Sequence, residues 1–148
     1  MLIMNRIKSF VLLLSIAGTV AHASPNPRQL VSGAEKIKSE AVSLMFKLDR
    51  GNNEADVDVL PILASAILAL EQTIDKAEEA DMYLANHEDD KFLFEFTRAC
   101  SKIAVARARL YRAKLAVDKD PSGFLVPEDF EELRQDIVSL REEVDCPS

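Results

Sequence analysis

Two cysteines, Cys100 and Cys146, are the side chains best suited to covalent chemistry in this sequence. A redox or nucleophilic thiol needs a CxxC partner or a histidine base, and His87 is the one histidine that follows residue 23. In an exported protein, two cysteines with no third favour a structural bridge instead. The sequence therefore predicts a disulfide between Cys100 and Cys146 that stabilises the fold by about 3–4 kcal/mol.

Four basic residues share one side of a predicted helix centred near residue 105. At 100° per residue, Arg98, Lys102, Arg109 and Arg112 project within about 80° of one another. This stripe suits an acidic protein partner or a carboxylate ligand, although pairing with an acidic helix of the same chain is favoured. Phe94 falls off both apolar strips of the same helix, and an exposed Phe94 would mark a contact surface.

A histidine and three acids at residues 87–90 include ligand types for a divalent cation. A catalytic zinc site needs three protein ligands with helical or paired spacing, and the sequence has neither an HExxH motif nor a second histidine after residue 23. The loop 49–56 is similar to a calcium loop only superficially, because Gly51 stands where an oxygen ligand is needed. We therefore expect no metal and no cofactor.

Catalytic motifs are also missing from the sequence, which contains no GxSxG, Walker, GxGxxG or haem-attachment pattern. Catalysis by a carboxyl group would require a buried acid, and every acidic cluster is expected to be exposed. The expectation is therefore a protein without enzymatic activity.

The N-terminal segment has the pattern of a secretory signal peptide. Arg6 and Lys8 precede an apolar run at 10–20, and Ala21-His22-Ala23 supplies small residues at a cleavage site. A membrane anchor would need about twenty apolar residues, which this run does not provide. The sequence predicts a signal peptide at 1–23, a single domain at 24–148, and a secreted or periplasmic location.

Composition favours a helical domain with a sizeable core. The chain has 148 residues, of which 48% are hydrophobic and 29% charged, with only four glycines and six prolines for turns. Removal of residues 1–23 leaves 16 basic and 25 acidic side chains, a net charge of −9. A protein with this much negative charge repels phosphate backbones and anionic lipids. Neither nucleic acid nor a membrane surface is therefore expected as a partner.

Four segments have apolar residues at alternating intervals of three and four, which is the spacing of amphipathic helices. These segments are 28–49, 57–86, 91–118 and 127–145. The connections of about four to nine residues suit antiparallel neighbours. The predicted fold is an all-α, up-down-up-down four-helix bundle with one disulfide.

The third segment carries two apolar strips side by side. The main strip begins at Phe92, and the second strip contains Leu93, Cys100, Ala104, Tyr111 and Leu115. A helix that is apolar on two faces contacts two neighbours, so this helix is expected to be central to the packing. One of its strips could instead serve a homodimer.

The numbering supports an antiparallel pairing of the last two helices. Apolar residues of the third and fourth segments face each other in pairs whose numbers sum to 247, and Cys100 and Cys146 sum to 246. Residues 91–119 have a net charge of +6, residues 128–145 of −6, and residues 54–90 of −10. A basic helix between two acidic ones favours this order of neighbours.

The stretch Val59-Leu-Pro-Ile-Leu, followed by Leu70-Glu-Gln-Thr-Ile-Asp-Lys-Ala77, resembles the helical repeat of fungal hydrophobic-surface-binding wall proteins. The resemblance covers less than a fifth of the chain. The charge density and the two cysteines of this sequence depart from that pattern, so no family is assigned on it.

The expected function is binding of another protein, as an inhibitor, immunity-type protein, effector or adaptor, because a rigid charged helical surface suits recognition. The alternative is a carrier that holds a small apolar ligand between helices, beside alanines such as Ala99, Ala106 and Ala113. An enzyme of unrecognised type and a structural envelope component are further alternatives.

Overall fold

The computed structural model describes residues 24–51, 54–120, 123 and 125–148, and this part of the chain is helical and contains no strand. It forms four long helices, which we number α1 (Pro27–Gly51), α2 (Val59–Ala85), α3 (Asp89–Lys119) and α4 (Pro127–Glu143). A one-turn helix, Glu54–Val57, precedes α2. The all-helical class and the four helices are therefore confirmed, whereas the predicted signal peptide at 1–23 lies outside the described residues.

The helix boundaries follow local chemistry. Pro61 and Pro127 both lie in first turns, where a missing N–H costs little. Asp58 precedes α2 but makes no side-chain capping bond, because its own backbone is already helical at φ −71° and ψ −24°. Helix α1 ends at Gly51, two residues beyond the predicted bound at residue 49.

The apolar strip of each long helix faces a common core. Helix α1 contacts α2 and α4, and α3 also contacts α2 and α4, so the four helices form a closed ring of neighbours. The largest fully buried side chains come from all four helices and include Leu30, Leu63, Leu70, Ile103, Leu110, Phe130 and Ile137.

Polar contacts at the helix ends define how α1 lies against its neighbours. Arg28 Nε, in the first turn of α1, lies 3.2 Å from Asp81 Oδ2 near the end of α2. Gln29 Nε2 donates to Glu143 Oε1 at the end of α4, at 3.1 Å. The beginning of α1 is therefore close to the ends of both α2 and α4.

Helix α3 makes corresponding contacts with both of its neighbours. Arg109 Nη1, in the second half of α3, donates to the carbonyl oxygen of Ser65 near the beginning of α2, at 2.9 Å. Lys114 Nζ lies 3.2 Å from Glu131 Oε1 in the first half of α4. The end of α3 is thus close to the beginnings of α2 and α4.

A reversal of the chain at the end of α4 positions the second cysteine. Asp145 adopts a left-handed backbone with φ 64°, and its N–H bonds to the Glu142 carbonyl while the N–H of Cys146 bonds to the Arg141 carbonyl at 2.8 Å. This pair of hydrogen bonds is the Schellman motif of helix C-termini. It turns Cys146 back towards α3, where it forms the predicted disulfide with Cys100 across a Cα–Cα distance of 5.6 Å.

The second apolar strip of α3 does not pack as expected. Within it, Cys100 is buried at the disulfide, but Leu93 is 54% exposed, and Tyr111 and Leu115 are each 46% exposed. Helix α3 reaches its two neighbours through the flanks of its main strip, because α2 and α4 both lie on the core side of the helix. The second strip is therefore mostly a solvent-facing surface.

Candidate binding surface

A row of residues on the exposed side of α3 repeats the spacing of a helix-packing interface. We call this row the α3 seam. Successive members are alternately three and four residues apart except for an initial interval of four, and they are Leu93, Thr97, Ser101, Ala104, Ala108, Tyr111 and Leu115. Ala104 is half-buried and the other members are exposed. Large apolar side chains lie towards both ends of the seam and small ones in its middle.

Basic residues border the α3 seam on both sides. At 100° per residue, Arg98 and Arg112 lie on the side towards α2, and Arg107 and Lys114 lie on the side towards α4. Between residues 91 and 117 the helix contains a single acid, Glu95, which is 8% exposed. The exposed surface of this stretch is therefore apolar and basic in a chain whose net charge is −7.

The predicted basic stripe lies on the α2 side of the seam and is partly engaged within the molecule. Arg98 Nη1 lies 3.2 Å from Glu95 Oε1, and Arg109 is held by the Ser65 carbonyl. Lys102 and Arg98 also line a groove of about 570 Å³ whose opposite wall includes the α2 residues Asp75, Glu78 and Glu79. Arg112 is exposed. The intramolecular acids thus account for part of the stripe and leave Arg112 facing solvent.

Phe94 is 62% exposed beside this stripe. Its ring centroid lies 5.5 Å from Arg98 Cζ, a distance that allows a cation–π contact. Phe94 also lines a shallow hollow of about 340 Å³ together with Tyr83, Lys91 and Glu95. An exposed ring next to an arginine is a combination that is enriched at protein interfaces.

Two acids contradict the expectation that every acidic cluster is exposed. Glu95 and Asp56 are both buried. Glu95 is buried because its side of α3 packs against α2, where its carboxyl group lies beside that of Glu79. Hydrogen bonding donated by the Glu95 carboxyl group, and then by Lys76, lowers the pKa of the Glu79 carboxyl. The spacing of apolar residues along the sequence gives no sign of the contact between Glu95 and Glu79, because these two residues belong to different helices.

On the α4 side of the seam, Glu131 accepts four hydrogen bonds from side chains of the same protein. Glu131 accepts hydrogen bonds from Arg134 at 2.7 Å and 2.9 Å, from Gln135 at 2.8 Å and from Lys114 at 3.2 Å. The bonds from Arg134, and then from Gln135, hold the pKa of Glu131 far below its ordinary value of 4.5. The Tyr111 ring lies 5.9 Å from Lys114 Nζ and 6.0 Å from Arg134 Cζ.

A second basic feature of this side, an arginine pair, was missed by sequence reasoning. Arg141 Nη2 donates to the Pro147 carbonyl at 2.9 Å, but its Nε is buried without a hydrogen-bond partner in the described part of the protein. Burial, and then the nearby charge of Arg107, lower the pKa of Arg141. No carboxylate of the described residues forms a salt bridge with either arginine. Neither arginine is therefore neutralised by a direct ion pair within the described residues.

Across the described ranges, no group of three or more His, Cys, Asp or Glu side chains is arranged to hold a metal ion. His87 is exposed and occupies the left-handed position, φ 60°, of the turn that follows α2. No helix within the described residues is long and apolar enough to cross a bilayer.

Comparison with protein-family models, with curated proteins and with solved structures found no match to this chain. The geometry of α3 is therefore the feature of the molecule that indicates a function. Its exposed side can contribute apolar contacts, a close approach of backbones in its middle, and charge-assisted hydrogen bonds along both borders.

Proposed function

We propose that this protein is a secreted or periplasmic, non-enzymatic helical bundle that binds another protein through the α3 seam. One observation carries the proposal. A strip of mostly exposed apolar and small residues, bordered by basic side chains and without an acid of its own, lies on the surface of a chain with a net charge of −7. Exposed apolar patches with polar borders are typical of interaction sites, and aromatic residues and arginine are enriched there.

Export is part of the same proposal. Residues 1–23 act as a signal peptide that is cleaved after Ala23, and the Cys100–Cys146 disulfide supports folding in an oxidising compartment. The bundle has up-down-up-down topology, which is supported by the contacts that bring the beginning of each helix near the end of its neighbours.

The carrier alternative gains no specific support. Its alanines, Ala99, Ala106 and Ala113, are fully buried, which is equally expected if small residues allow α3 to pack closely against its neighbours. Protein binding is therefore the function that the surface favours.

The test uses the mature, disulfide-bonded protein as an affinity bait against extract and secreted material from the organism that makes it. Ala108 lies in the α3 seam and Ala64 lies on the outer side of α2, and both are exposed. We expect a protein that is retained by the wild type and by Ala64→Glu but lost with Ala108→Glu. Each variant adds one negative charge, so general electrostatics is matched. Retention of nothing, or retention unaffected by Ala108→Glu, would contradict the proposal.

A further inference from the structure

We infer that the partner of the α3 seam is an acidic amphipathic helix; this inference deepens the proposed function and rests on it. The spacing of the seam residues fits a helical partner. Apolar and small residues at alternating intervals of three and four are the pattern with which one helix packs against another. From Leu93 to Leu115 the seam extends about 33 Å at 1.5 Å per residue, the length of six helical turns.

The sizes of the seam residues also fit a helix. Ser101, Ala104 and Ala108 occupy the middle of the seam, where small side chains let two helix axes approach closely. Leu93 and Tyr111 provide larger apolar surfaces towards the ends. An extended peptide would not match this pattern, because its side chains repeat every two residues along one face.

The borders determine the charge of the partner. In paired helices, residues that flank the seam interact with flanking residues of the partner and so select it. Here the flanking residues Arg98, Arg112, Arg107 and Lys114 are all basic. A partner with Glu or Asp at its own flanking positions would form ion pairs on both sides. A carboxylate near Arg107 would also compensate the charge that Arg107 and Arg141 share.

A second copy of this chain fits the seam less well. Pairing of two α3 helices would place basic borders opposite basic borders, which is repulsive. The outer side of α2 is acidic, but its carboxylates occupy the strip itself: Glu71, Asp75 and Glu78 lie between the exposed Leu68 and Met82. Docking that strip on the seam would bury carboxylates where apolar side chains are needed.

The test uses two synthetic helical peptides of 28 residues as probes. Both have leucine and alanine at the seam-facing positions, and their flanking positions are all glutamate in one and all lysine in the other. Like charges at these positions also discourage each peptide from pairing with itself. Binding to the mature, disulfide-bonded protein is measured by fluorescence anisotropy at low and high salt.

We expect the glutamate peptide to bind at least about tenfold more tightly than the lysine peptide, because its carboxylates attract the basic borders of the seam whereas lysine side chains are repelled by them. The ratio should shrink at high salt. Ala108→Glu should weaken binding of the glutamate peptide about tenfold, whereas Ala64→Glu should leave it within about twofold. Circular dichroism of both variants confirms that the bundle is intact.

The inference is overturned if both peptides bind equally, if neither binds, or if Ala64→Glu weakens binding as much as Ala108→Glu. Sedimentation equilibrium of the protein alone provides a further criterion, because a dimer that Ala108→Glu dissociates would identify a second copy as the occupant. The proposed function and the inference of an acidic helical partner can be refuted independently of each other. A host protein lost with Ala108→Glu supports the proposed function even where the glutamate peptide does not bind, and peptide binding without a host partner contradicts the proposed function alone.

Discussion

Removal of the disulfide tests how the end of α4 is attached to α3. In the double variant Cys100→Ala/Cys146→Ala, the unfolded chain regains the freedom of a segment whose ends are 46 residues apart. The chain-entropy relation for that separation gives a loss of about 4 kcal/mol at 25 °C. Against a total stability of about 5–15 kcal/mol for a domain of this size, such a loss is large.

The assay is urea unfolding followed by circular dichroism, with the oxidised wild type as reference. We expect a lower midpoint and a steeper dependence on urea for the double variant, because an unfolded chain without a cross-link exposes more surface. Wild-type protein kept reduced is the matched control, since it loses the bridge but retains both sulfur atoms. It should lose the same stability to within about 1 kcal/mol. An unchanged midpoint in both samples would refute the reasoning.

Three other predictions concern packing, backbone conformation and charge. A Cβ added at Gly33 would lie 2.5 Å from Leu140 Cδ1, so Gly33→Ala should destabilise the wild type by about 1 kcal/mol. In a Leu140→Ala background this clash is absent, and the better helix propensity of alanine should make Gly33→Ala stabilising by about the same amount. Urea unfolding of the four proteins checks the reversal, and a change of the same sign in both backgrounds would refute it. His87 has φ 60°, so His87→Gly should raise stability by about 1 kcal/mol, and a lower thermal midpoint would contradict this. Hydrogen bonds lower the pKa of Glu131, and a lowered pKa contributes stability above the ordinary value of 4.5 that is lost as the pH falls further. Glu131→Gln should therefore be less stable than wild type at pH 7 and differ less at pH 3, whereas exposed Glu132→Gln should match wild type at both; a difference that does not shrink with acid would contradict the assignment.

The spacing of apolar residues was sufficient to predict the four helices, because each helix needs one apolar side for the core. The disulfide also followed from sequence, because the numbers of Cys100 and Cys146 fit the antiparallel register predicted for α3 and α4. The spacing of apolar residues could not show which of the two apolar strips of α3 would be buried against neighbouring helices. The second strip of α3 has the same periodicity as the main strip, and its exposure depends on where α2 and α4 lie in three dimensions.

The borders of the seam were predicted in part. Arg98, Lys102, Arg109 and Arg112 share one helix, so their common side follows from helical geometry alone. The proximity of Arg107 and Arg141 depends on the pairing of two helices. Their numbers sum to 248, within one of the register expected from the apolar residues, so the signal was present in the sequence. The burial of Glu95 had no such signal, because its position beside Glu79 depends on how two helices pack.

Site-specific photo-cross-linking in the organism that makes the protein tests the central claim most directly, namely that the α3 seam is a protein-binding surface. A photoreactive amino acid is placed at Ala108 in the seam or at Ala64 on the outer side of α2, both of which are exposed. We expect a discrete covalent adduct with another protein from position 108 and none from position 64. An adduct from position 64 alone, or from neither position, would contradict the account.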